Sequence, residues 1–432
     1  MIRAIIAIML SIVSTILAGT NQNNMMTAPD YETDFVPEVR FEVMSDTHIK
    51  KINDDHSSRL QKAINFAYDY SSKNPYYDKL NAVVIAGDLT NNGTVGQFVG
   101  FSAALKTALH DETKFLGVVA KNHDGYTFDK LSQSLFKTVT GNDSDYHTVI
   151  NGYHFIGLSA SKIIGRQYDN HQKEWLKAEL DKAAADDPNK PIFITHHEHS
   201  LNTVYGSSDF DGWGLEYFRD ILNDYPQVID FSGHSHYPSN DPRSIWQGEF
   251  TAVGTGAIAY MELTVNNDRK VHPEDNENGA QSWIVEVDKN NRVRLIGVDV
   301  LRGEYLCEYI IDSPADINAR QFTPELNEAS SSAPVFASGS SITAEKLRFG
   351  YKFTAPAAES TDGKIVFLYK INIYDKDGNN IYTDRVVNNY WNADSFKEIT
   401  FKTDSVPSGS RVEITALNAY YMESTPLVYI VE

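Results

Sequence analysis

The stretch Val39–His48, with the sequence VRFEVMSDTH, leads an alternating apolar and charged run into an aspartate and a histidine two residues apart. The alternation predicts a β-strand that ends at Met44. On an extended backbone, residues i and i+2 point to the same side, so we expect Asp46 and His48 to converge. The stretch therefore combines a buried strand with two side chains that can bind a metal.

Four later strand-like runs end in the same way. In α/β sheets, ligands bind beyond the carboxyl ends of the strands, which is where these polar side chains fall. Amphipathic helical patterns lie between the runs, so the sequence predicts an α/β fold with one site at the strand ends. The later candidates are Asp88 after residues 82–86, Asn122 with His123 and Asp124 after 115–119, His196 after 192–195, and His234 with His236 after 228–231.

The donor chemistry of the candidates indicates a hydrolytic metal centre. Carboxylate, amide oxygen and imidazole without thiolate suit Zn, Mn or Fe better than they suit a structural zinc site, which favours cysteine. Seven ligands are too many for one catalytic ion with an open position, but they suffice for two divalent ions if one carboxylate bridges them. The sequence therefore predicts a two-metal site.

The overall charge does not exclude an anionic substrate. The chain has 38 basic and 58 acidic side chains, a formal net charge of −20. Two divalent ions against the carboxylates of Asp46 and Asp88 leave the inner shell at about +2, and a site's own ions dominate its field. No run rich in Lys and Arg with interleaved aromatic residues occurs, so we expect no nucleic-acid polymer as a partner.

The order Asp-x-His, Gly-Asp, Asn-His-Asp, His, Gly-His-x-His resembles the signature of the calcineurin-like metallophosphoesterase superfamily, which includes purple acid phosphatases and bacterial cyclic-nucleotide phosphodiesterases. The resemblance covers roughly Pro37 to Val300, and Gln172–Leu180 looks like the family's Gln-x-x-Trp-Leu helix. It implies a four-layer α/β/β/α sandwich with helices outside two packed sheets.

The resemblance also implies a role for each site residue. His123 would be the non-ligand histidine that protonates the leaving group, and Asp124 would steady it. The implied ligands are Asp46, His48 and His236 for one metal, Asn122, His196 and His234 for the other, and Asp88 as the bridge.

Two positions depart from the family pattern. Lys121 stands where the family usually has Gly, and it either bends the loop differently or adds a cation beside the phosphate. Glu198 stands where many relatives have Pro, which leaves His197, Glu198 and His199 as candidate substrate contacts. Five other histidines outside the motif are interpreted as loop, strand or surface residues: His110, His147, His154, His171 and His272.

The predicted reaction is hydrolysis of a phosphate ester. Two cations about 3.5 to 4 Å apart can hold a hydroxide and clamp the attacking and leaving oxygens at phosphorus. We expect a small phosphodiester substrate, because the motif set is closest to the bacterial cyclic-nucleotide phosphodiesterases. The alternatives are a phosphomonoesterase or nucleotidase, and a non-catalytic metal-containing protein that binds a surface.

The ends of the chain predict export and a second domain. Residues 4–17 are largely apolar and have the length of a signal-peptide core, so we expect a signal peptide over 1–19 and a secreted or periplasmic protein; an uncleaved membrane anchor is the alternative. A flexible segment over 20–36 would precede the catalytic domain, 37–312, and a linker over 313–340 would follow it.

Short strands separated by turns predict a small all-β sandwich over residues 341–432, similar to a fibronectin type III domain. One hairpin would turn at Asp377-Gly378. Four aromatic residues of this domain either line a glycan-binding face or pack in its core: Tyr390, Trp391, Tyr420 and Tyr421.

Overall fold

The computed structural model describes residues 31, 33–125, 131–161, 168–209, 214–265, 271–393, 397–404 and 406–432. The predicted signal peptide, and all but five residues of the predicted flexible segment, lie outside these ranges. Within them, a first compact unit ends at Ala329 and a second begins at Ser330. In the described ranges, no helix is both long and apolar enough to cross a membrane.

The first unit alternates strands and helices. Its strands are β1 (Pro37–Met44), β2 (Ala82–Ala86), β3 (Lys114–Val118), β4 (Tyr146–Ile150), β5 (Tyr153–Gly157), β6 (Ile192–Thr195), β7 (Val228–Ser232), β8 (Ile245–Gln247), β9 (Thr251–Gly254), β10 (Gln281–Asp288), β11 (Val293–Asp299) and β12 (Glu304–Ile311). Its α-helices are α1 (Asp55–Lys73), α2 (Val95–Ala108), α3 (Leu131–Thr140), α4 (Asn170–Asp186), α5 (Glu216–Leu222) and α6 (Pro324–Ala329). Short 3-10 helices cover Pro242–Ser244, Asn276–Asn278 and Ile317–Ala319.

In the described part of this unit, the strands form two six-stranded sheets. The first has the order β12-β11-β10-β1-β2-β3, and the second has the order β4-β5-β6-β7-β9-β8. Strands β1, β2 and β3 are parallel, as are β5, β6, β7 and β9. Parallel strands end at the same edge, so the polar residues that follow β1, β2 and β3 come together, as do those that follow β6 and β7.

Three apolar layers confirm the predicted α/β/β/α sandwich. Leu60 and Ile64 of α1 pack with Ile85 of β2 on the outer face of the first sheet. Leu176 and Leu180 of α4 cover the outer face of the second sheet in the same way. The inner faces of the two sheets pack against each other, and Phe41, Phe155, Phe193 and Phe231 contact one another at their centre.

The second unit is the predicted β-sandwich. Its strands are β13 (Thr343–Lys346), β14 (Tyr351–Pro356), β15 (Val366–Tyr374), β16 (Asn380–Val387), β17 (Glu398–Thr403), β18 (Arg411–Asn418) and β19 (Leu427–Ile430). Among the described residues, β13-β14-β17 form one antiparallel sheet and β16-β15-β18-β19 the other. Phe353 and Phe401 of the first sheet pack with Ile371 and Ile414 of the second, and the hairpin at Asp377-Gly378 is present.

One expectation for the C-terminal part needs correction, and burial decides between two alternatives for another. Residues 324–329 of the predicted linker are helical and belong to the first unit. Tyr390 and Trp391 are fully buried, so they pack in the interior of the sandwich and cannot line a glycan-binding face.

Candidate metal centre

The loops after the strands carry an unusual backbone conformation at the predicted ligands. Five non-glycine residues have positive φ angles between 44° and 68°. L-residues rarely adopt this left-handed region, which costs of order 1–3 kcal/mol at each position and persists only where other contacts impose it. Such strain concentrates at functional sites. The five residues are Asp46, His48, Asp88, His234 and His236.

This conformation corrects the expectation of an extended backbone after β1 and β7. Asp46 and His48 do converge, but both do so from the left-handed region. Backbone hydrogen bonds impose the turn, because the Asp46 and His48 amides donate to the carbonyls of Gly87 and Asp88, at 3.0 Å each. The end of β1 is thereby joined to the end of β2.

Asp46, His48 and His236 form a first cluster, in which the potential ligand atoms all lie within 4.8 Å of one another. Asp46 Oδ2 accepts hydrogen bonds from Ser45 Oγ and from the His234 amide. Its Oδ1 lies 3.1 Å from His236 Nε2. The geometry leaves Oδ1 of Asp46 facing the cluster.

The two histidines of the first cluster fit a cation. His236 Nδ1 is 3.0 Å from the Tyr260 carbonyl, to which it donates, so its Nε2 carries the lone pair. That Nε2 is 3.1 Å from His48 Nε2, and burial lowers the pKa of His48, which favours its neutral form. Two unprotonated nitrogens repel each other at this distance unless a cation or a proton lies beside them.

Asp88, His197 and His234 form a second cluster with the same 4.8 Å limit. His197 Nε2 lies 3.2 Å from Asp88 Oδ2, and His197 Nδ1 donates to the Ala86 carbonyl at 2.8 Å. A backbone acceptor for one ring nitrogen directs the other towards a metal. His197, which the sequence made a candidate substrate contact, therefore lies with Asp88 and His234, where the sequence placed His196.

His196 points away from both clusters. Its Nε2 is 2.7 Å from Asp230 Oδ1, and its ring packs 4.4 Å from the ring of Phe218 on α5. Both His196 and Asp230 are fully buried. Strand alternation explains this placement, because His196 follows Ile192 and Ile194 onto the outer face of the second sheet.

Asp88 connects the two clusters. Its carboxylate lies 3.6 Å from His48 Nε2, and it forms a further group with His48 and His123. Although burial opposes ionisation, the neighbouring His197 lowers the pKa of Asp88 to about 2. Asp88 is therefore an anion within reach of both clusters, which is the geometry expected of a bridging ligand.

Several buried oxygen atoms at the site lack a hydrogen-bond partner. Buried polar atoms are normally paired, and an unpaired one costs about 1–3 kcal/mol. A bound cation would satisfy these atoms, so the donor set fits a binuclear metal centre. Among the described residues, the unpaired oxygens are Oδ1 of Asp46, Oδ1 of Asp88 and Oδ1 of Asn122.

His123 lies beside the clusters with a fixed orientation. Its ring is 4.4 Å from the His48 ring at an interplanar angle of 81°. Its Nδ1 donates to the Asn91 carbonyl at 2.9 Å. Its Nε2 is therefore the nitrogen that can exchange a proton with a substrate.

Asp124 contacts the loops of the site through their backbone amides. Its carboxylate accepts hydrogen bonds from the backbone amides of Leu89, Thr90 and Ala120, at 2.8–3.1 Å. Burial, together with the charge of Asp88, raises the pKa of Asp124 to about 6. Asp124 therefore fastens the loop after β2 to the loop after β3, whereas His123 is oriented by Asn91.

The other candidate substrate contacts are distributed differently. His199 is buried, and its two ring nitrogens lie 2.8 Å from the hydroxyls of Ser232 and Ser235; it supports the loop that carries His234 and His236. Glu198 is also fully buried. Lys121 is half-buried directly before Asn122, and its contact with substrate stays a prediction.

Two glycines of the motif are required by close packing. A Cβ atom at Gly87 would lie 2.6 Å from His197 Nδ1, and Gly87 has a φ of +85°. A Cβ atom at Gly233 would lie 2.5 Å from Asp46 Oδ2. Real Cβ atoms essentially never approach so closely, so only glycine leaves room for the ligands at these positions.

Tyr260 is a site residue that the sequence did not indicate. Its ring lies 4.3 Å from the His236 ring and 5.9 Å from the His48 ring. Burial and the negative charges of Asp46 and Asp88 raise the pKa of Tyr260 to about 12. No motif surrounds it, and it follows His236 by a loop and two short strands, so no sequence signal marked it.

The chain was compared with protein families, curated proteins and solved structures. Residues 39–238 match the family of calcineurin-like phosphoesterases. None of the curated proteins compared with the chain is significantly similar to it. Among solved structures, the purple acid phosphatase PPD1 from yellow lupin (Lupinus luteus) seeds is 14% identical, with a TM-score of 0.45; the match covers 63% of this chain and 53% of that one.

A second solved structure, GAP50, the anchor in the inner membrane complex of Plasmodium, is also 14% identical, with a TM-score of 0.41. This match covers 64% of this chain and 89% of that protein. The chain thus spans about half the length of the lupin phosphatase. The match over residues 39–238, the four-layer fold and the two clusters agree, so this part of the chain is similar to the calcineurin-like phosphoesterases.

Proposed function

We propose that this protein is a phosphodiesterase that works with two divalent metal ions, Mn, Zn or Fe. The observation that carries the proposal is the position of Asp88 within reach of both clusters. Asp46, His48 and His236 would hold one ion, and Asp88 would be shared. The ligands of the other ion would be Asn122, His197 and His234.

Two divalent ions bound here supply an activated water and positive charge for the phosphoryl oxygens of an ester. The protein residues fix the geometry. Hydrogen bonds from Ser45 and the His234 amide hold one oxygen of Asp46, and the carbonyls of Ala86 and Tyr260 fix the tautomers of His197 and His236. This support leaves the ligand atoms little freedom before substrate binds.

His123 would act as the general acid. With Nδ1 held by the Asn91 carbonyl, a proton on Nε2 can pass to the leaving oxygen of the ester. A positioned acid of this kind typically contributes about 10²- to 10⁴-fold to the rate. Asp124 would act at a distance, by keeping the loops of Asp88 and Asn122 together.

The preference for diesters comes from the motif set, which is most similar to that of bacterial cyclic-nucleotide phosphodiesterases. A monoesterase acting on the same two-ion centre is the second candidate. The substrate test is to assay bis-p-nitrophenyl phosphate and p-nitrophenyl phosphate with Mn or Zn, and then with a chelator. We expect faster release of p-nitrophenol from the diester, and loss of activity with the chelator. Activity on neither ester with metal bound would overturn the proposal.

Variants separate metal binding from proton transfer. We expect His123→Ala to keep its metal while turnover falls about 10²- to 10⁴-fold, and Asp88→Ala to lose both. His171→Ala is the matched control, since this histidine is exposed on α4, and it should behave as wild type. Unchanged turnover in His123→Ala would remove its role as the acid.

Export is a further part of the proposal, based on the apolar residues 4–17. We propose that residues 1–19 are removed and that the protein works outside the cytoplasm. N-terminal sequencing of protein recovered from culture medium or periplasm should give a first residue near position 19 or 20. An intact Met1 in that fraction would contradict cleavage.

A further inference from the structure

We propose that Tyr260 determines specificity by receiving a flat aromatic group of the substrate, so that the enzyme favours phosphoesters with an aryl or nucleobase ring near phosphorus. This inference rests on the proposed phosphoesterase function. It adds the chemical class of the organic group, which neither the metal ligands nor His123 specify.

The position of the Tyr260 ring is the first observation. It packs against the imidazoles of His236 and His48, with interplanar angles of 45° and 38°. His272 lies 5.7 Å from the Tyr260 ring. The His48 side chain is 1% exposed, Tyr260 is half-buried, and the His272 side chain is 60% exposed. Tyr260 therefore lies where the buried cluster meets solvent.

The ring is held in place through its backbone. The amides of Ile258 and Ala259 donate to the carbonyls of Ser45 and Asp46, at 3.1 and 3.0 Å. The buried Arg59 guanidinium on α1 donates to the Ala259 carbonyl at 2.6 Å. A rigid aromatic surface loses little entropy when a ligand binds, so this anchoring favours a binding role.

The outer neighbour of the ring is anchored as well. His272 Nε2 lies 3.1 Å from the carboxylate of Glu262, which is buried. The Glu262 amide in turn donates to the His236 carbonyl at 3.0 Å. His272 is thus connected to the metal-binding loop, and the rings of His236, Tyr260 and His272 form a series leading outward from the cluster.

The chemistry of Tyr260 suits an aromatic partner. The Tyr260 hydroxyl is not among the buried unpaired atoms of the described residues. It can therefore stay in water while the face of the ring contacts a ligand. Tilted and offset ring pairs are favourable beyond the area that they bury. A substrate ring beside Tyr260 would gain this contact while its phosphate lies at the metals.

A purely structural role makes a different prediction. If Tyr260 only packed against His236, its loss would weaken metal binding and would affect every substrate equally. If Tyr260 determines specificity, its loss instead changes the ratio of the affinities for aromatic and alkyl ligands, while the metal content stays constant. The ratio is therefore the quantity to measure.

The experiment is calorimetric titration of the metal-loaded full chain with phenylphosphonate and with methylphosphonate, which cannot be hydrolysed. We expect wild type to bind phenylphosphonate about fivefold more tightly. In Tyr260→Leu the ratio should approach one at unchanged metal content, and Tyr260→Phe should keep the wild-type ratio. Tyr76→Leu is the matched control, because Tyr76 is 48% exposed in the loop after α1.

A second pair identifies the source of the ring. Competition against phenylphosphonate gives the affinities of adenosine 5′-monophosphate and ribose 5-phosphate. These two ligands differ by the presence of the adenine base. A preference within this pair that Tyr260→Leu removes assigns a nucleobase, and a preference confined to phenylphosphonate assigns an aryl group on phosphorus. Both results support a role for Tyr260.

Wild-type protein that shows no aromatic preference in either pair would overturn the inference, and this result needs no variant. A preference that survives in Tyr260→Leu would overturn it as well. Hydrolysis of both p-nitrophenyl esters alongside either result would leave the proposed function intact. Hydrolysis of neither ester by the metal-loaded protein would overturn the proposed function, and this inference with it.

Discussion

Gly233 is the position at which one added methyl group tests the geometry of the site. A Cβ atom there would lie 2.3 Å from Ser45 Oγ and 2.5 Å from Asp46 Oδ2, where ordinary contact begins at 3.4 Å. In Gly233→Ala, Asp46 must therefore withdraw by about 1 Å. Metal–ligand distances tolerate about ±0.2 Å, and a 1 Å misplacement can cost about 10²-fold in rate.

We expect Gly233→Ala to lower the affinity for the first metal ion and the value of kcat/KM, each by about 10²-fold. Overpacking should also reduce the free energy of unfolding by about 1–3 kcal/mol. Competition with a chromophoric chelator measures the affinity, hydrolysis of bis-p-nitrophenyl phosphate measures the rate, and denaturant titration measures the stability.

Gly96→Ala is the matched control for this variant. A Cβ atom at Gly96, on α2, would meet nothing within 4 Å, so metal affinity should not change and stability should rise by about 0.5–1 kcal/mol. Wild-type metal affinity and activity in Gly233→Ala would refute the placement of Asp46 beside the loop of His234 and His236.

Three further predictions follow from single side chains. His197→Ala should lose the second ion and nearly all turnover. His196→Ala should keep both ions and lose about 3 kcal/mol of stability, because a buried ring that packs against Phe218 is removed and Asp230 keeps only its hydrogen bond from Ser200. Elemental analysis measures the metal content and denaturant titration the stability, and the opposite pattern would restore His196 as the ligand. Burial raises the pKa of Glu42 to about 8, above its value in the unfolded chain, so the folded state binds the extra proton and the free energy of unfolding should fall by a few kcal/mol between about pH 4.5 and 8. Denaturant titration of wild type and Glu42→Gln across this pH range isolates the contribution of Glu42. An equal pH dependence of the free energy of unfolding in the two proteins would contradict it. His199→Ala removes the support of Ser232 and Ser235, so metal affinity should drop about 10- to 100-fold, as measured by chelator competition; an unchanged affinity would show that the loop holds its shape without His199.

The position of the site could be predicted because it depends on local patterns. Each candidate cluster follows a strand within a few residues, and the parallel order of β1, β2 and β3 brings Asp46, Asp88 and Asn122 to the same edge of the first sheet. A strand and the residues directly after it are visible in one chain segment. The donor types, which indicate metal chemistry, are visible as well.

The choice between His196 and His197 could not be made from the sequence. Both faces of β6 are apolar, because Ile192 and Ile194 face the outer helices while Phe193 packs between the sheets. Periodicity therefore shows that the two histidines point to opposite faces, but not which face meets the first sheet. That depends on the packing of Phe193 against Phe41.

The backbone and the outer part of the site depend on tertiary contacts. The left-handed conformation of Asp46 and His48 is imposed by carbonyls that follow β2, and nothing near residues 46–48 in the sequence encodes them. Tyr260 reaches the site through the hydrogen bonds of its loop with residues 45 and 46. Burial of Tyr390 and Trp391 likewise follows from the packing of the sandwich, since exposed and buried aromatic residues look alike in one sequence.

The metal content of the wild-type chain tests the central claim most directly. Protein freed of metal, dialysed against Mn or Zn and analysed for elements and protein should contain two divalent ions per chain. The same analysis of Asp88→Ala should give fewer than two, because the shared carboxylate is missing. One ion or none in the wild type, or two ions in Asp88→Ala, would contradict a binuclear centre bridged by Asp88.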